Sequence, residues 1–297
     1  MNSNKLAGRE TGKPGMGKAE SCPVCLHRAP ARFRHIDGFD VYRCGRCQLL
    51  WVPNVYEEKL RHFYGAEYFR SSDNNFGYHN YIEDEKILRL NARFILNQFP
   101  KFKGTHPKIL DIGCAHGFLL DEARKLGWDT DGVELSQEAS SYALEHFCLK
   151  VSCSSVFQAN FPDDTFDYIT IMGVIEHLPD PVKVIRETRR ILKPSGYLAI
   201  TTVSTRGLVK LFRLKPPEHL YYFSPQNISI LLRSCGYDVL KIAPYWPYYH
   251  LSEAFCRAFR LVFKSAGRIE KYLEAVPFLK INMRVPTNEM FVLGRKK

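Results

Sequence analysis

The chain has 297 residues, of which 45% are hydrophobic, and this is enough for one large core together with a small accessory module. Its 42 basic and 31 acidic residues give a formal net charge of +11, so the surface should attract a phosphate-bearing substrate, an anionic lipid or a nucleic acid. The sequence has no membrane-spanning run of about 18 uncharged apolar residues, and its N-terminal stretch has no apolar segment of the secretory type. The nine cysteines include no plausible disulfide framework for a secreted protein, and a reducing, cytoplasmic setting is therefore predicted.

Three segments precede the main domain. Residues 1–20 combine four basic residues with several glycines, and they are predicted to be a disordered basic tail. Residues 21–55 contain two pairs of cysteines. Residues 56–103 are rich in aromatic side chains and have helical apolar spacing from Ile82 to Phe99, so they are predicted to be a helical connecting segment.

The cysteine pairs are "CPVC" at 22–25 and "CGRC" at 44–47. Cys22, Cys25, Cys44 and Cys47 thus have the spacing C-x₂-C-x₁₈-C-x₂-C, with which two tight turns can present four thiolates to one tetrahedral Zn²⁺. The sequence between the pairs alternates like a β-hairpin, so residues 21–55 are predicted to form a zinc ribbon. Four cysteine ligands leave no open coordination position, which makes the predicted zinc structural. Free or redox-active thiols are the alternative.

The other cysteines are scattered and form no disulfide framework of the kind that secreted proteins use. Each is interpreted as a small core residue. They are Cys114, Cys148, Cys153, Cys235 and Cys256.

From residue 104 onward, strand-like and helix-like segments alternate. The strand-like segments are, in chain order, "KILDIG", "TDGVEL", "KVSCSS", "FDYITIM", "YLAITT", "YDVLKIA" and "EMFVLG". Ser136, Asp180 and Ser224 are each placed to cap a helix, and a proline follows the last two caps as the first helical residue. This alternation is typical of an α/β fold with a doubly wound parallel sheet, which we assign to residues 104–297.

The first strand–helix turn lies where an open α/β sheet binds its ligand. A dinucleotide-binding turn would have glycine at positions 113, 115 and 118, whereas this chain has Gly113, Ala115 and Phe118. The mismatch disfavours NAD. Asp111 stands just before the turn, where its charge would repel a pyrophosphate and attract an ammonium group. Glu134 ends the second strand and can accept both hydroxyls of a ribose. A cofactor with an amine, a ribose and no phosphate fits these features, and S-adenosyl-L-methionine is such a molecule.

The motifs as a set resemble class I S-adenosylmethionine-dependent methyltransferases over about residues 104–243. They are "DIGCAHG" from Asp111 to Gly117, then Glu134, "FPDDTFDYITIMGVIEHLPDP" and "LKPSGYLAIT". The resemblance implies a Rossmann-like sheet of seven strands whose last strand, "EMFVLG", runs antiparallel. It also implies that the turn from Gly113 through Cys114 and Ala115 to Gly117 approaches the cofactor and that Glu134 holds the ribose.

Asp111 and Leu135 complete the cofactor-binding set predicted for the main domain. Tyr81, just before this domain, is predicted either to close over the cofactor together with Tyr78 or to pack as an ordinary aromatic residue. The adenine contact stays unassigned, because Ser155 stands where many relatives carry an aspartate.

Methyl transfer from a sulfonium is an in-line displacement, so the protein mainly aligns donor and acceptor. If the acceptor is a hydroxyl, an amine or an acidic carbon, a general base must also remove a proton. "VIEHLPDP" places His177 just past the fourth strand, and a histidine suits this role. The alternative is a loop histidine that is hydrogen-bonded to the backbone.

A second candidate base is His219 in "PPEHLYYFSP", next to Glu218. This pair resembles the Glu-His pair of zinc-ribbon sugar C-methyltransferases, where the resemblance implies that the histidine is the base. Pro216 stands where those relatives carry a tyrosine. A positioning role is the alternative, because "EHL-x-x-F" recurs among methyltransferases of varied substrate.

Residues 244–288 separate the last two strands and are predicted to form a helical insert with basic and apolar residues interleaved. Its basic residues are Arg257, Arg260, Lys264, Arg268 and Lys271. A basic amphipathic helix in this place either rests on an anionic membrane surface or packs on the sheet as a lid.

The sequence therefore predicts a methyltransferase whose acceptor is a small molecule, a sugar or a lipid-linked glycan. A zinc-ribbon RNA-binding protein or RNA methyltransferase is the alternative, and it is disfavoured because the ribbon sequence has no dense Lys/Arg face. A non-catalytic scaffold is disfavoured because Asp111, Gly113 and Glu134 are all present.

Overall fold

The computed structural model describes residues 19–55, 82–206, 214–251 and 281–297. Residues 1–18 of the predicted basic tail, Tyr78, Tyr81 and most of the predicted helical insert lie outside these residues. Across the described ranges, no helix combines the length and the apolarity that crossing a lipid bilayer requires.

The N-terminal module is built on a short antiparallel sheet. Its strands are β1 (Ala31–Ile36), β2 (Phe39–Arg43) and β3 (Leu50–Trp51). β1 and β2 form the hairpin predicted between the two cysteine pairs. The hairpin turns at Asp37 and Gly38, whose φ angles of 48° and 85° belong to the left-handed region that a two-residue turn of type I′ requires.

A larger sheet follows in the main domain. The remaining strands are β4 (Lys108–Ile112), β5 (Asp129–Glu134), β6 (Lys150–Cys153), β7 (Phe166–Met172), β8 (Leu192–Val203), β9 (Tyr221–Tyr222), β10 (Tyr237–Tyr245), β11 (Tyr248–His250), β12 (Asn282–Arg284) and β13 (Glu289–Lys296). Seven of them form one sheet in the order β10-β13-β8-β7-β4-β5-β6. β4 to β8 are parallel, and β13 is antiparallel to both of its neighbours. The predicted seven-stranded sheet with an antiparallel last strand is confirmed.

The central strands are buried because helices cover the sheet on both faces. β7 is the clearest case, since Phe166, Ile169 and Ile171 are fully buried, as expected of a parallel strand in the middle of a sheet. The helices are α1 (Glu85–Leu96), α2 (Phe118–Lys125), α3 (Gln137–Phe147), α4 (Pro181–Ile191) and α5 (Pro225–Ser234), and Ile175–His177 form a 3₁₀ turn.

The predicted helix caps are confirmed. Ser136 accepts a hydrogen bond from the backbone N–H of Ala139, and Asp180 accepts one from Lys183. Ser224 and Asn227 form a reciprocal capping box at the start of α5. Because these caps fix where α3, α4 and α5 begin, they also fix the connections that leave the carboxyl edge of the sheet.

Three features differ from the sequence-based expectation. Cys114 and Cys235 are buried as predicted, but Cys148 and Cys153 are exposed, since they lie in a helix C-cap and in the edge strand β6. The two ends of the predicted helical insert are strands, because β11 and β12 pair with each other. Finally, β9 pairs with β3 and so extends the sheet of the N-terminal module.

Candidate active site and metal centre

The glycine-containing turn after β4 has a left-handed backbone at three positions. The φ angles are 74° at Gly113, 46° at Ala115 and 80° at Gly117. The backbone N–H groups of Gly113 and Cys114 both donate to the carbonyl of Val133 on β5, at 2.8 and 3.2 Å. The turn is therefore fixed against the neighbouring strand, at the edge of the sheet where parallel α/β folds bind ligands.

Ala115 occupies the position where the family pattern has its middle glycine. It keeps the left-handed conformation although an L-residue pays about 1–2 kcal/mol for it. Its N–H donates to Oε2 of Glu134 at 2.9 Å, and this bond holds the strained residue in place.

Glu134 connects two turns. Besides the bond from Ala115, its Oε1 accepts the N–H of Ser136 at 2.9 Å. The side chain is buried, and burial raises the pKa of Glu134, whereas the backbone hydrogen bonds oppose that shift. Each carboxylate oxygen has a second lone pair, so these bonds do not prevent Glu134 from accepting a hydroxyl.

Asp111 is a buried residue of β4 and not an exposed charge at the mouth of the turn. Its side chain is 3% exposed, and Oδ1 accepts a hydrogen bond from the hydroxyl of Thr170 on β7 at 2.6 Å. Burial raises the pKa of Asp111 to about 7; the Thr170 bond opposes this shift and the charge of Glu134 adds to it. A cation bound beside Asp111 would favour the ionised form.

The two glycines at the ends of the turn are also required by packing. A Cβ on Gly113 would lie 2.6 Å from Cγ2 of Val174, and one on Gly117 would lie 2.7 Å from Cδ1 of Leu149. The Val174 contact shows that the 3₁₀ turn after β7 lies directly beside the glycine turn.

Cys114 and Leu135, two further residues predicted to contact the cofactor, lie against different parts of the chain. A Cβ on Gly132 would lie 2.8 Å from the Cys114 sulfur, so this thiol lies against β5. Leu135 is half-buried, and its carbonyl accepts the thiol of Cys153 at 3.7 Å. Tyr81, the remaining predicted cofactor residue, lies outside the described residues.

The two histidines predicted to be catalytic come together at the same edge, beside Glu176, which was not among the predicted catalytic residues. One side-chain atom from each of Glu176, His177 and His219 lies within 4.8 Å of the other two. Nδ1 of His177 donates to the backbone carbonyl of Glu218 at 2.5 Å, which leaves Nε2 as the acceptor nitrogen of that ring. Burial lowers the pKa of His177, so this ring is neutral at pH 7.

Glu176 lies inside this cluster and is 3% exposed. Its Oε2 accepts a hydrogen bond from the hydroxyl of Thr202 on β8 at 2.9 Å. Burial raises the pKa of Glu176 to about 7. The group can therefore hold or release a proton near neutral pH.

His219 and Glu218 each bury a polar atom for which the described residues provide no hydrogen-bond partner. These atoms are Nδ1 of His219 and Oε2 of Glu218. Lys215 Nζ stands 3.7 Å from that oxygen, close enough for an ion pair but too far for a hydrogen bond. Burial lowers the pKa of His219 well below its ordinary value, and the neighbouring His177 adds to the shift. Buried polar atoms without partners at a sheet edge are typical of a site that binds a polar ligand.

The four paired cysteines converge in the N-terminal module. The Sγ atoms of Cys22 and Cys47 are 3.6 Å apart, those of Cys25 and Cys44 are 3.4 Å apart, and all four lie within 4.8 Å of one another. Four sulfurs bound tetrahedrally at about 2.3 Å from zinc are about 3.8 Å apart, whereas a disulfide is about 2.05 Å long. The sulfurs therefore have the spacing of a tetrahedral Cys₄ zinc site.

Backbone hydrogen bonds shape both cysteine turns. The N–H of Cys47 donates to the sulfur of Cys44 at 3.4 Å, and the N–H of Leu26 donates to the carbonyl of Cys22 at 2.9 Å. The hydrogen bond with Cys47 lowers the pKa of Cys22 to about 5 and raises that of Cys47. A thiol with a lowered pKa is already poised to act as a thiolate ligand.

Two residues of this edge were not singled out from the sequence. Thr170 bonds Asp111, and Thr202 bonds Glu176. Each is a fully or almost fully buried threonine with apolar neighbours in a central strand. That pattern is the signal in the sequence that could have indicated them, because a buried hydroxyl needs a partner.

Comparison with known proteins identifies the family. Residues 81–242, more than half of the chain, match a family model described as a methyltransferase domain. Together with the seven-stranded sheet, this match shows that the chain belongs to the class I S-adenosylmethionine-dependent methyltransferases.

The chain also matches individual curated proteins over part of its length. The chain is 30% identical over 126 residues to a ubiquinone biosynthesis O-methyltransferase of Aliivibrio fischeri, a match that covers 40% of this chain and 54% of that protein. The chain thus spans about half the length of this curated relative.

Solved structures share the fold. A methyltransferase of Archaeoglobus fulgidus that depends on S-adenosylmethionine is 22% identical, with a TM-score of 0.51 over 73% of this chain and 99% of that one. A geranyl diphosphate C-methyltransferase of Streptomyces coelicolor, solved with S-adenosyl-L-homocysteine, is 14% identical, with a TM-score of 0.51 over 70% of this chain and 76% of that one. At these identities the likeness concerns the fold alone.

Proposed function

We propose that the chain is an enzyme that transfers a methyl group from S-adenosyl-L-methionine to a small-molecule acceptor. One observation carries the proposal: the buried carboxyl groups of Asp111 and Glu134 stand on either side of the glycine turn, at the carboxyl ends of adjacent parallel strands. Family membership supports the donor, and the name of the ubiquinone relatives supports a small acceptor.

The residues of this edge fit the donor. Asp111 would hold its amino group, Glu134 its ribose hydroxyls, and the backbone from Gly113 to Gly117 would approach it, with Leu135 beside the ribose end. The bound donor supplies an already activated methyl group. Because the pKa of Asp111 is raised to about 7, binding of a cationic amine should release a proton from this group near neutral pH. The contact assigned to Tyr81 stays a prediction.

We assign the general base to His219, with His177 and Glu218 in supporting roles. His219 is neutral at pH 7, and its Nδ1 has no partner among the described residues, so the ring can accept a proton from an acceptor group. His177 holds the carbonyl of Glu218 and thereby the backbone just before His219. Glu176, held by Thr202, lies within reach of both rings and can stabilise a charged imidazolium.

We propose two narrower classes of acceptor. A sugar or a lipid-linked glycan is supported by the resemblance of "EHL" at 218–220 to zinc-ribbon sugar C-methyltransferases. An oxygen atom is the acceptor that the name of the O-methyltransferase relatives favours. In either case the Cys₄ site would hold a structural Zn²⁺, since four thiolates leave no position for substrate.

Two measurements test the proposal. Calorimetric titration with S-adenosyl-L-methionine should give saturable binding that Glu134→Ala abolishes with the fold retained, while NADH gives none. Incubation of a metabolite extract with isotopically labelled donor, followed by mass spectrometry, should then reveal the labelled acceptor. Labelled RNA in a parallel incubation covers the alternative function. Absence of donor binding by the folded wild type would reject the proposal.

A further inference from the structure

The N-terminal module and the loop that carries His219 share a sheet. β9 pairs antiparallel with β3, with Leu50 opposite Tyr222 and Trp51 opposite Tyr221. On its other edge β3 pairs with β2. A ladder of two residues is too short to be stable alone, so the place of β9 depends on the module to which it is added.

Leu220, the residue after His219, has both backbone groups hydrogen-bonded across this junction. Its carbonyl accepts the N–H of Val52 at 2.8 Å, and its N–H donates to the carbonyl of Glu176 at 2.8 Å. The backbone of one residue thus connects the cysteine module with the catalytic cluster. A displacement of β3 would therefore move His219 relative to Glu176.

The position of β3 depends in turn on the second cysteine turn. The N–H of Cys44 donates to the carbonyl of Leu49 at 3.0 Å, and the N–H of Gln48 donates to the carbonyl of Cys44 at 3.1 Å. Asn227 of α5 donates to the carbonyl of Cys47 at 3.5 Å. Metal bound by the four cysteines would hold this turn in place, so metal loading should decide whether β3 keeps its position.

We propose that the zinc ribbon positions the general base: metal bound by the four cysteines fixes β3, and β3 fixes His219 beside Glu176 through Val52 and Leu220. The effect on turnover rests on the role proposed above for His219, whereas the structural coupling does not. Asp111 and Glu134 lie on β4 and β5 of the other sheet, so loss of the metal should slow methyl transfer and leave donor affinity unchanged.

Val52→Pro in the full-length, zinc-loaded protein tests the coupling. The substitution removes the N–H that Leu220 accepts and leaves all four cysteines in place. Hydrogen exchange followed by mass spectrometry should become about tenfold faster over residues 214–223 and stay unchanged in β4. Zinc content should stay at about one ion per chain, and the donor Kd should change by less than about twofold, while kcat falls. Phe33→Ala on β1, the far edge of the module, is the matched control and should change none of these quantities.

Zinc removal from the wild type by a chelator gives a second test that needs no substitution. Exchange over residues 214–223 should accelerate in step with zinc release and recover when zinc is restored. If exchange there is the same with and without zinc, or is unaffected by Val52→Pro in a folded protein, the coupling is wrong. A wild type that couples zinc to exchange but binds no donor would reject the proposed function and leave the coupling intact.

Discussion

The imidazole rings of His177 and His219 meet edge to face, with their centroids 4.8 Å apart, although they come from different loops. A proton on one ring disfavours a proton on the other, and burial lowers the pKa of both. Both rings are therefore neutral at pH 7, and one proton can be taken up by the pair. This is the state that a general base requires before it receives a proton from its substrate.

Substitution of His219 by alanine should lower kcat by about 10²- to 10⁴-fold, the usual contribution of a general base, and leave the donor Kd unchanged. His177→Ala should have a smaller effect on kcat, because it releases the carbonyl of Glu218 and so misplaces the base. His106→Ala, in an exposed loop, is the control. Calorimetry gives the Kd and labelled donor gives kcat. Full turnover in both His177→Ala and His219→Ala would mean that neither residue is the base.

Asp111 should make the free energy of unfolding depend on pH. Its pKa rises from 3.8 to about 7 on folding, so the folded state binds the extra proton between these values and stability falls as pH rises from about 4 to about 7. Asp111→Asn keeps the oxygen that Thr170 bonds but carries no charge at any pH. The difference in free energy of unfolding, Asp111→Asn minus wild type, should therefore become more positive by about 1–4 kcal/mol as pH rises from about 4 to about 7.

Urea unfolding of both proteins at several pH values measures this difference. Donor affinity should fall in Asp111→Asn, because the amide cannot neutralise an ammonium group. A stability difference that is constant from pH 4 to pH 8 would show that Asp111 keeps its ordinary pKa in the folded protein.

Gly113 and Gly127 offer a matched pair for testing the turn. Both are left-handed, with φ of 74° and 81°, but a Cβ on Gly127 meets nothing within 4 Å, whereas one on Gly113 would lie 2.6 Å from Val174. Gly127→Ala should cost about 1 kcal/mol of unfolding free energy from backbone strain alone. Gly113→Ala should cost about 3 kcal/mol, since overpacking adds to the strain, and it alone should weaken donor binding.

The double variant Gly113→Ala with Val174→Ala separates strain from overpacking. Removal of the valine side chain should recover the steric part of the loss, so the two substitutions should be non-additive. Equal destabilisation by Gly113→Ala and Gly127→Ala would mean that Val174 does not restrict the turn.

The elements that the sequence predicted well are those encoded locally. β4 and β7 follow from their strand-like, mostly apolar segments, and the starts of α3 and α4 follow from Ser136 and Asp180, whose side chains bond the helix within three residues. The sequence also predicted that Asp111 and Glu134 lie on either side of the glycine turn, because adjacent parallel strands end at the same edge of the sheet.

The features that were not predicted depend on distant neighbours. Asp111 is buried and bonded by Thr170 of the neighbouring strand β7, and no local sequence pattern pairs these two residues. β9 was not among the predicted strands, because Tyr221–Tyr222 carry no alternation of their own and become a strand only by pairing with β3. The paired ends of the 244–288 segment, β11 and β12, were missed for the same reason.

Arg89 of α1 should stabilise the start of the main domain through two buried carboxylates. Its Nη1 lies 2.7 Å from both Asp121 and Glu122 of α2, which are 3% and 5% exposed. Burial alone would raise the pKa of each carboxyl group, but the surrounding basic groups lower both to about 2. Arg89→Met should cost about 3 kcal/mol of unfolding free energy at pH 7, because it leaves buried charges with fewer partners.

The ion pairs of Arg89 with Asp121 and Glu122 should also make the free energy of unfolding depend on pH. Because the folded pKa values lie below the unfolded ones, the stabilisation is present above pH 4.5 and is lost as pH falls toward 2. The gap between wild type and Arg89→Met in urea unfolding should therefore narrow over this interval. Arg124→Met, whose exposed guanidinium bonds Asp121 from outside, should cost less than about 1 kcal/mol. A cost for Arg89→Met no larger than that of Arg124→Met would show that the buried carboxylates do not depend on Arg89, and that α1 is held on α2 by its apolar face.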